Sequence, residues 1–209
     1  MIRRMSVLIA GVVVTATGIV LTPGDAFAQR QFGVEPPDTW VSIYGIMYTN
    51  VSNLNDPGSD SEWVFDDNAF GIGATLQRQV GQSLMLGIDG SYARPKYERH
   101  VLDSNVIVAS GTAALATAMA SGRYGYSGGG DIGFYLQGGM GTVAYNLEDL
   151  DGWNADFALQ AGTGLEYRFG GNKAVALEWG RTWGYHEKEN LSGGNQTHSA
   201  LKLALRMGF

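Results

Sequence analysis

The chain has 209 residues, of which 44% are hydrophobic, and this is enough for one domain of ordinary size. It contains no cysteine, which excludes disulfides and thiol chemistry, and its net charge of −6 argues against nucleic acid as a main partner. The 31 glycines and the 10 Tyr, 8 Phe and 5 Trp favour an all-β chain with tight turns over a helical bundle.

The amino terminus predicts a cleaved signal peptide over residues 1–28. Two arginines at positions 3 and 4 precede a mostly apolar run from Met5 to Leu21, and Ala26-Phe27-Ala28 forms a small-x-small cleavage site. The alternative is an uncleaved membrane anchor, which the run is just long enough to form. Residues 29–38 then form a short extended lead-in on the periplasmic side, and the remaining domain is 39–209.

Period-two alternation predicts eight strands, at 40–51, 68–80, 83–94, 112–126, 131–145, 153–169, 173–186 and 197–209. It is clearest in the last run, where Leu201, Leu203 and Leu205 alternate with Lys202 and Arg206.

The run at 112–126 is the least clear of the eight, because it is rich in alanine and a helix over 112–121 competes with the strand. Tyr124 is out of phase with Leu115 and Met119, so a strand here requires a bulge if all three side chains share the apolar face.

Short glycine turns at 81–82, 128–130 and 170–172 alternate with longer links at 52–67, 95–111, 146–152 and 187–196. This layout predicts an eight-stranded antiparallel up-and-down transmembrane β-barrel, with its short turns in the periplasm. A soluble barrel such as a lipocalin also alternates, but its outer face is dense with charge. Here the polar face is mostly small residues, and the apolar face carries a predicted aromatic girdle of Trp153, Tyr167, Phe169, Trp179, Trp183 and Tyr185.

The segment AGTGLEYRF at 161–169, its Gly/Asn turn and the terminal strand ending in Phe209 resemble the small outer-membrane barrel superfamily. That group includes the OmpA membrane domain, OmpX, Ail and opacity proteins. The resemblance implies a place in the outer membrane of a Gram-negative bacterium, among outer-membrane lipids and lipopolysaccharide. It also implies that Phe209 is an assembly signal read by the barrel-assembly machinery.

A sparse set of charges faces the predicted lumen: Asp89, Glu166, Arg168, Glu178, Lys202 and Arg206. We interpret it as an ion-pair network that plugs the lumen, since eight strands leave just enough room for side chains; the alternative is a polar path for ions. Symmetric closure of the loop at 187–196 predicts Glu178 opposite Arg206, Thr182 opposite Lys202 and His186 opposite His198.

The outer loops are acidic and predict either a solvated rim or divalent-cation bridges to lipopolysaccharide phosphates: Asp56, Asp60, Glu62, Asp66, Asp67, Glu148, Asp149 and Asp151. The apolar run 106–109 in the second loop predicts an extra hairpin or an adhesive tip. His198 and Ser199 are neighbours in a strand, so they point to opposite faces and cannot form a Ser–His pair. The sequence predicts no catalytic residue, metal site or cofactor.

These features predict a non-catalytic barrel with a structural or adhesin-like role, whose extracellular loops contact a host or surface ligand. A narrow porin-like channel is the second hypothesis, and an enzyme that modifies lipid A is the third.

Overall fold

The computed structural model describes residues 37–55, 60–66, 68–101, 106–127, 131–148, 152–169, 171–185 and 196–209. The predicted signal peptide and most of the lead-in lie outside these residues. The eleven strands described are β1 Thr39–Thr49, β2 Leu54–Asn55, β3 Ser61–Phe65, β4 Asn68–Gln79, β5 Leu84–Ala93, β6 Lys96–Val101, β7 Ile107–Ser127, β8 Ile132–Leu147, β9 Asn154–Phe169, β10 Lys173–Tyr185 and β11 Gln196–Gly208.

Eight of these strands close into a barrel in the order β1-β4-β5-β7-β8-β9-β10-β11, and every pairing is antiparallel. Closure comes from β1 and β11, which pair from Trp40↔Gly208 to Thr49↔Ser199. The predicted fold class is therefore confirmed. Closure matters because it leaves no sheet edge with unpaired backbone groups, which is what lets strands cross a bilayer.

The described part of the chain contains no helix with the length and apolar character needed to span a membrane.

The barrel exterior is apolar and its interior is polar, because side chains alternate along every strand. Ile43, Ile72, Ile88 and Leu203 are exposed on the outside, whereas Asp89, Glu166 and Lys202 are buried within. A soluble barrel would place its charges on the outside, so this arrangement is that of a transmembrane barrel.

The longer links at one end of the barrel continue its strands as a second sheet. We call it the extension sheet: β2, β3, β6 and residues 107–112 of β7, paired in that order. β3 leads into β4, and β6 follows β5 after two residues, so both extend barrel strands beyond the lipid. The sequence left this region as loops, apart from a possible extra hairpin at 106–109.

Residues 112–121 are strand and not helix, since β7 runs unbroken from Ile107 to Ser127. The bulge expected near Tyr124 is also wrong. β5 pairs with β7 in continuous register from Leu84↔Tyr124 to Ala93↔Leu115. Leu115 and Met119 are buried in the interior while Tyr124 is exposed outside. The expectation failed because it assumed that apolar residues in this strand must face lipid.

Two tyrosines lie across the lumen face of a neighbouring strand where glycine leaves room. Tyr44 pairs with Gly73, and Tyr135 pairs with Gly164. A Cβ at either glycine would overlap the tyrosine ring. These glycines are therefore required by close approach, and they let two large rings fill a narrow lumen.

Candidate functional site in the barrel lumen

A buried lysine–aspartate pair lies in the middle of the lumen. Lys202 Nζ is 3.1 Å from Asp89 Oδ1 and 3.3 Å from Oδ2, and the two side chains are only 5% and 9% exposed. The Tyr44 hydroxyl donates to Oδ1 at 3.0 Å, and the Thr75 hydroxyl donates to Oδ2 at 2.8 Å. Asp89 thus has partners on both carboxylate oxygens, which offsets the cost of burying this ion pair.

Nearer the end with the short turns, three arginines converge on Glu166. Its carboxylate lies 2.6 Å from Arg123 Nη2, 2.7 Å from Arg168 Nε and 3.3 Å from Arg206 Nη1. Arg123, Arg206 and Glu166 are 6%, 3% and 3% exposed, whereas Arg168 is 37% exposed toward the barrel end. Trp40 packs under this cluster, with its ring 5.4 Å from Arg206 Cζ. Since one carboxylate is shared by three cations, this layer carries excess positive charge.

Glu178 lies opposite Lys202 in the sheet and is bound by neutral groups. The Tyr135 hydroxyl donates to Oε1 at 2.6 Å, and Gln137 Nε2 donates to Oε2 at 3.4 Å. A cavity of about 10 Å³ lies beside Glu178 and Lys202, lined also by Gln137 and Gln160. That is about the space one water molecule needs, so the side chains at this level leave little free room.

The predicted pairing across the last hairpin is wrong by four residues of β11. Lys202, and not Arg206, lies opposite Glu178, and His198 lies opposite Thr182. The expectation placed the start of the last strand at residue 197 and assumed symmetric closure. In the structure Gln196 is already paired with Gly184, which moves the centre of the closing loop toward the amino terminus. His186 lies outside the described residues.

Beyond the charged layers, an apolar cluster lies at the end of the lumen that carries the extension sheet. We call it the cap; its large side chains come from the extension sheet and from the upper ends of the barrel strands: Leu54, Trp63, Phe65, Tyr97, Leu115, Val143, Tyr145 and Leu147. Trp63 and Tyr97 are fully buried, and the Phe65 and Tyr97 rings meet edge to face at 6.3 Å. The cap therefore buries large apolar side chains at the end of the barrel from which the extension sheet projects.

The residues predicted for the aromatic girdle lie on the outward face, at three levels. Tyr167 and Phe169 stack at the periplasmic end of β9, near exposed Phe209. Tyr185 ends β10 at the opposite rim, with its ring 6.2 Å from Phe157, and Trp153 and Trp183 lie at that rim too. Trp179 differs, since it is the central residue of β10.

Sequence reasoning missed three interior residues on which the network depends: Arg123, Tyr44 and Tyr135. Arg123 shares its strand face with Leu115 and Met119, so placing those two against lipid would also have placed a guanidinium there. That conflict was the signal in the sequence that this face of the strand points into the lumen. The inward orientation of the two tyrosines could not be predicted, because aromatic rings suit both faces of a membrane barrel.

The outer acidic residues do not form a metal site among the residues described, which contain no group of three or more His, Asp or Glu suited to one. Glu148 instead pairs with Arg94 at 3.7 Å and accepts hydrogen bonds from the Thr112 hydroxyl and amide at 2.5 and 3.2 Å. Asp56, Asp67, Asp149 and Asp151 lie outside the described residues. His198 packs its ring on Tyr48 within the lumen, whereas Ser199 lies on the outward face.

No protein-family model matches the chain, and neither does any curated protein sequence. Several solved structures do match the chain. Neisserial surface protein A superposes with a TM-score of 0.57 at 14% identity, covering 82% of this chain and 97% of that one. The outer membrane protein OprG from Pseudomonas aeruginosa superposes with a TM-score of 0.52 at 10% identity, covering 84% and 98%.

The chain has the fold of the small eight-stranded outer-membrane barrels. At these identities the likeness concerns the outer-membrane barrel fold alone, so the role of this protein must be argued from its own lumen and its own extracellular surface.

Proposed function

We propose that this protein is a sealed, non-catalytic barrel of the outer membrane that presents its extension sheet to a partner outside the cell. The observation that carries the proposal is the filled lumen. Two buried charge layers and the cap lie in series along the barrel axis, and the cavity at Glu178 has a volume of only about 10 Å³. In a barrel closed in this way, the extracellular surface is the part that can bind a partner.

The extension sheet supports this role because it is anchored on its inner face and carries exposed apolar residues at its tip. Its inner face is anchored by Trp63 and Tyr97 in the cap. Its tip exposes three consecutive aliphatic residues, Val106, Ile107 and Val108, at 55%, 53% and 54%. Exposed apolar patches on an otherwise polar surface mark sites of interaction. Anchoring also lowers the entropy lost when a partner binds.

Planar-bilayer recordings test the sealed lumen. Purified, folded protein is expected to show no steady open-channel current, because the ion pairs and the cap block the axis. Steady currents that disappear in Glu178→Gln would contradict the proposal and establish the narrow-channel hypothesis instead.

Binding to intact host cells and to purified envelope components tests the extracellular role. The triple variant Val106→Ser, Ile107→Ser, Val108→Ser should bind less than the unmodified protein, while Val80→Ser, an equally exposed valine at the periplasmic turn, should not. Equal binding by all three would contradict a role for the tip. Comparing lipid A from cells with and without the protein tests the enzyme hypothesis, and an altered lipid A profile would replace our proposal.

A further inference from the structure

The outward face of the barrel carries three charged side chains within its described strands, and they are not equivalent. Arg78 lies next to the end of β4, and Lys173 is the first residue of β10; both are at the periplasmic rim. Arg181 is the exception, because it lies eight residues further along β10, on the exposed outer face. No carboxylate among the described residues pairs with it.

The height of Arg181 places it near the outer boundary of the hydrocarbon. At about 3.3 Å per residue and a strand tilt of about 40°, eight residues rise about 20 Å along the barrel axis. The apolar band of such a barrel is about 25 Å tall. An arginine side chain can extend the remaining distance by snorkelling, which brings its guanidinium to the level of outer-leaflet headgroups.

The surroundings of Arg181 suit a lipid headgroup. Trp179 and Trp183 flank it on the same face of β10, and its Cζ lies 6.0 Å from the Trp183 ring centroid. In the same row, Ser199 on β11 is buried, at 8% exposed, while Thr49 on β1 is half-buried and faces outward. Indole rings pack against the upper part of acyl chains, while hydroxyls and a guanidinium bind phosphate oxygens.

We infer that Arg181, flanked by Trp183, forms a binding site for the phosphate group of an outer-leaflet lipid. Arginine holds phosphate through two parallel N–H···O bonds, and none of the described carboxylates occupies those donors in Arg181. The inference rests on the proposed outer-membrane placement, and it assigns to one residue a contact with the phosphorylated leaflet.

Native mass spectrometry of the folded protein in detergent tests this site with lipid A as the probe, phosphorylated and chemically dephosphorylated. The unmodified protein should bind the phosphorylated form at least about tenfold more tightly. Arg181→Gln should abolish that preference, and Arg181→Lys should keep part of it, because a lysine retains the charge without the planar fork. Arg78→Gln, an exposed arginine at the opposite rim, should keep all of it.

Two results would overturn the inference: a full preference for phosphorylated lipid A in Arg181→Gln, or an equal loss in Arg78→Gln, which would mean a general effect of positive charge. Heat-modifiable gel migration shows whether each variant is folded. Bilayer recordings and membrane fractionation of Arg181→Gln should match those of the unmodified protein, so failure of the lipid site is distinguishable from failure of the sealed-barrel proposal.

Discussion

Replacing Glu166 with glutamine removes the one anion shared by Arg123, Arg168 and Arg206, and should strongly destabilise the barrel. Arg123 and Arg206 are almost completely buried, so neither guanidinium can turn to water once Glu166 is neutral. Breaking a buried ion pair from one side costs about 3–5 kcal/mol, because the remaining charge stays buried without compensation. Arg168 adds little, since it is 37% exposed and its interaction is screened.

Urea unfolding of the protein in lipid vesicles measures this loss, with tryptophan fluorescence and heat-modifiable migration as two readouts. Glu166→Gln should lower the free energy of unfolding by about 3–5 kcal/mol. The double variant Glu166→Gln, Arg206→Met should recover part of that loss, because it removes one of the uncompensated charges. Glu148→Gln is the matched control, since its pair with Arg94 is exposed at 57% and 63% and should contribute little.

The reasoning is refuted if Glu166→Gln unfolds at the same urea concentration as Glu148→Gln. It is also refuted if the double variant is less stable than Glu166→Gln, because the arginine would then stabilise the lumen by packing and not through its charge.

Three further predictions follow from the lumen, the carboxyl terminus and the extracellular rim. Gly164→Val should destabilise the barrel by about 1–3 kcal/mol in the same urea assay, because the new side chain displaces the Tyr135 ring. Gly45→Val is the control and should be tolerated, because a Cβ added at Gly45 meets nothing within 4 Å. Deleting Phe209 should reduce the amount of heat-modifiable barrel in the membrane fraction, because the terminal aromatic residue is the expected assembly signal. Phe169→Ala, at the same rim, should assemble normally. Equal yields of the two variants would contradict a role for Phe209 as the assembly signal. The Thr112 hydrogen bonds and the nearby Arg94 hold the pKa of Glu148 below its ordinary value of 4.5. A carboxyl whose pKa is lowered by folding stabilises above its unfolded pKa and loses that effect as pH falls through its folded pKa. The protection factor of the Thr112 amide, which corrects the exchange rate for its intrinsic dependence on pH, should therefore stay constant down to pH 4.5 and fall only at lower pH. A fall already above pH 4.5 would contradict this.

Alternation along β11 determined most of the fold without any tertiary information. Leu201, Leu203 and Leu205 on one side and Lys202 and Arg206 on the other require a strand between an apolar and a polar environment. Eight such runs joined by alternating short and long links allow few arrangements besides a membrane barrel. Periodicity is a local property of the chain, so the sequence contains it in full.

Only the tertiary structure decided which charges meet. Asp89 and Lys202 are 113 residues apart and face each other across the lumen, on strands that are not neighbours in the sheet. Their contact depends on strand register and tilt, which the closing loops set and the alternation does not contain. The same holds for Leu115 and Met119, which are apolar and yet face inward. Their strand rises into a capped lumen, and the burial that an apolar side chain needs can come from the cap as well as from lipid.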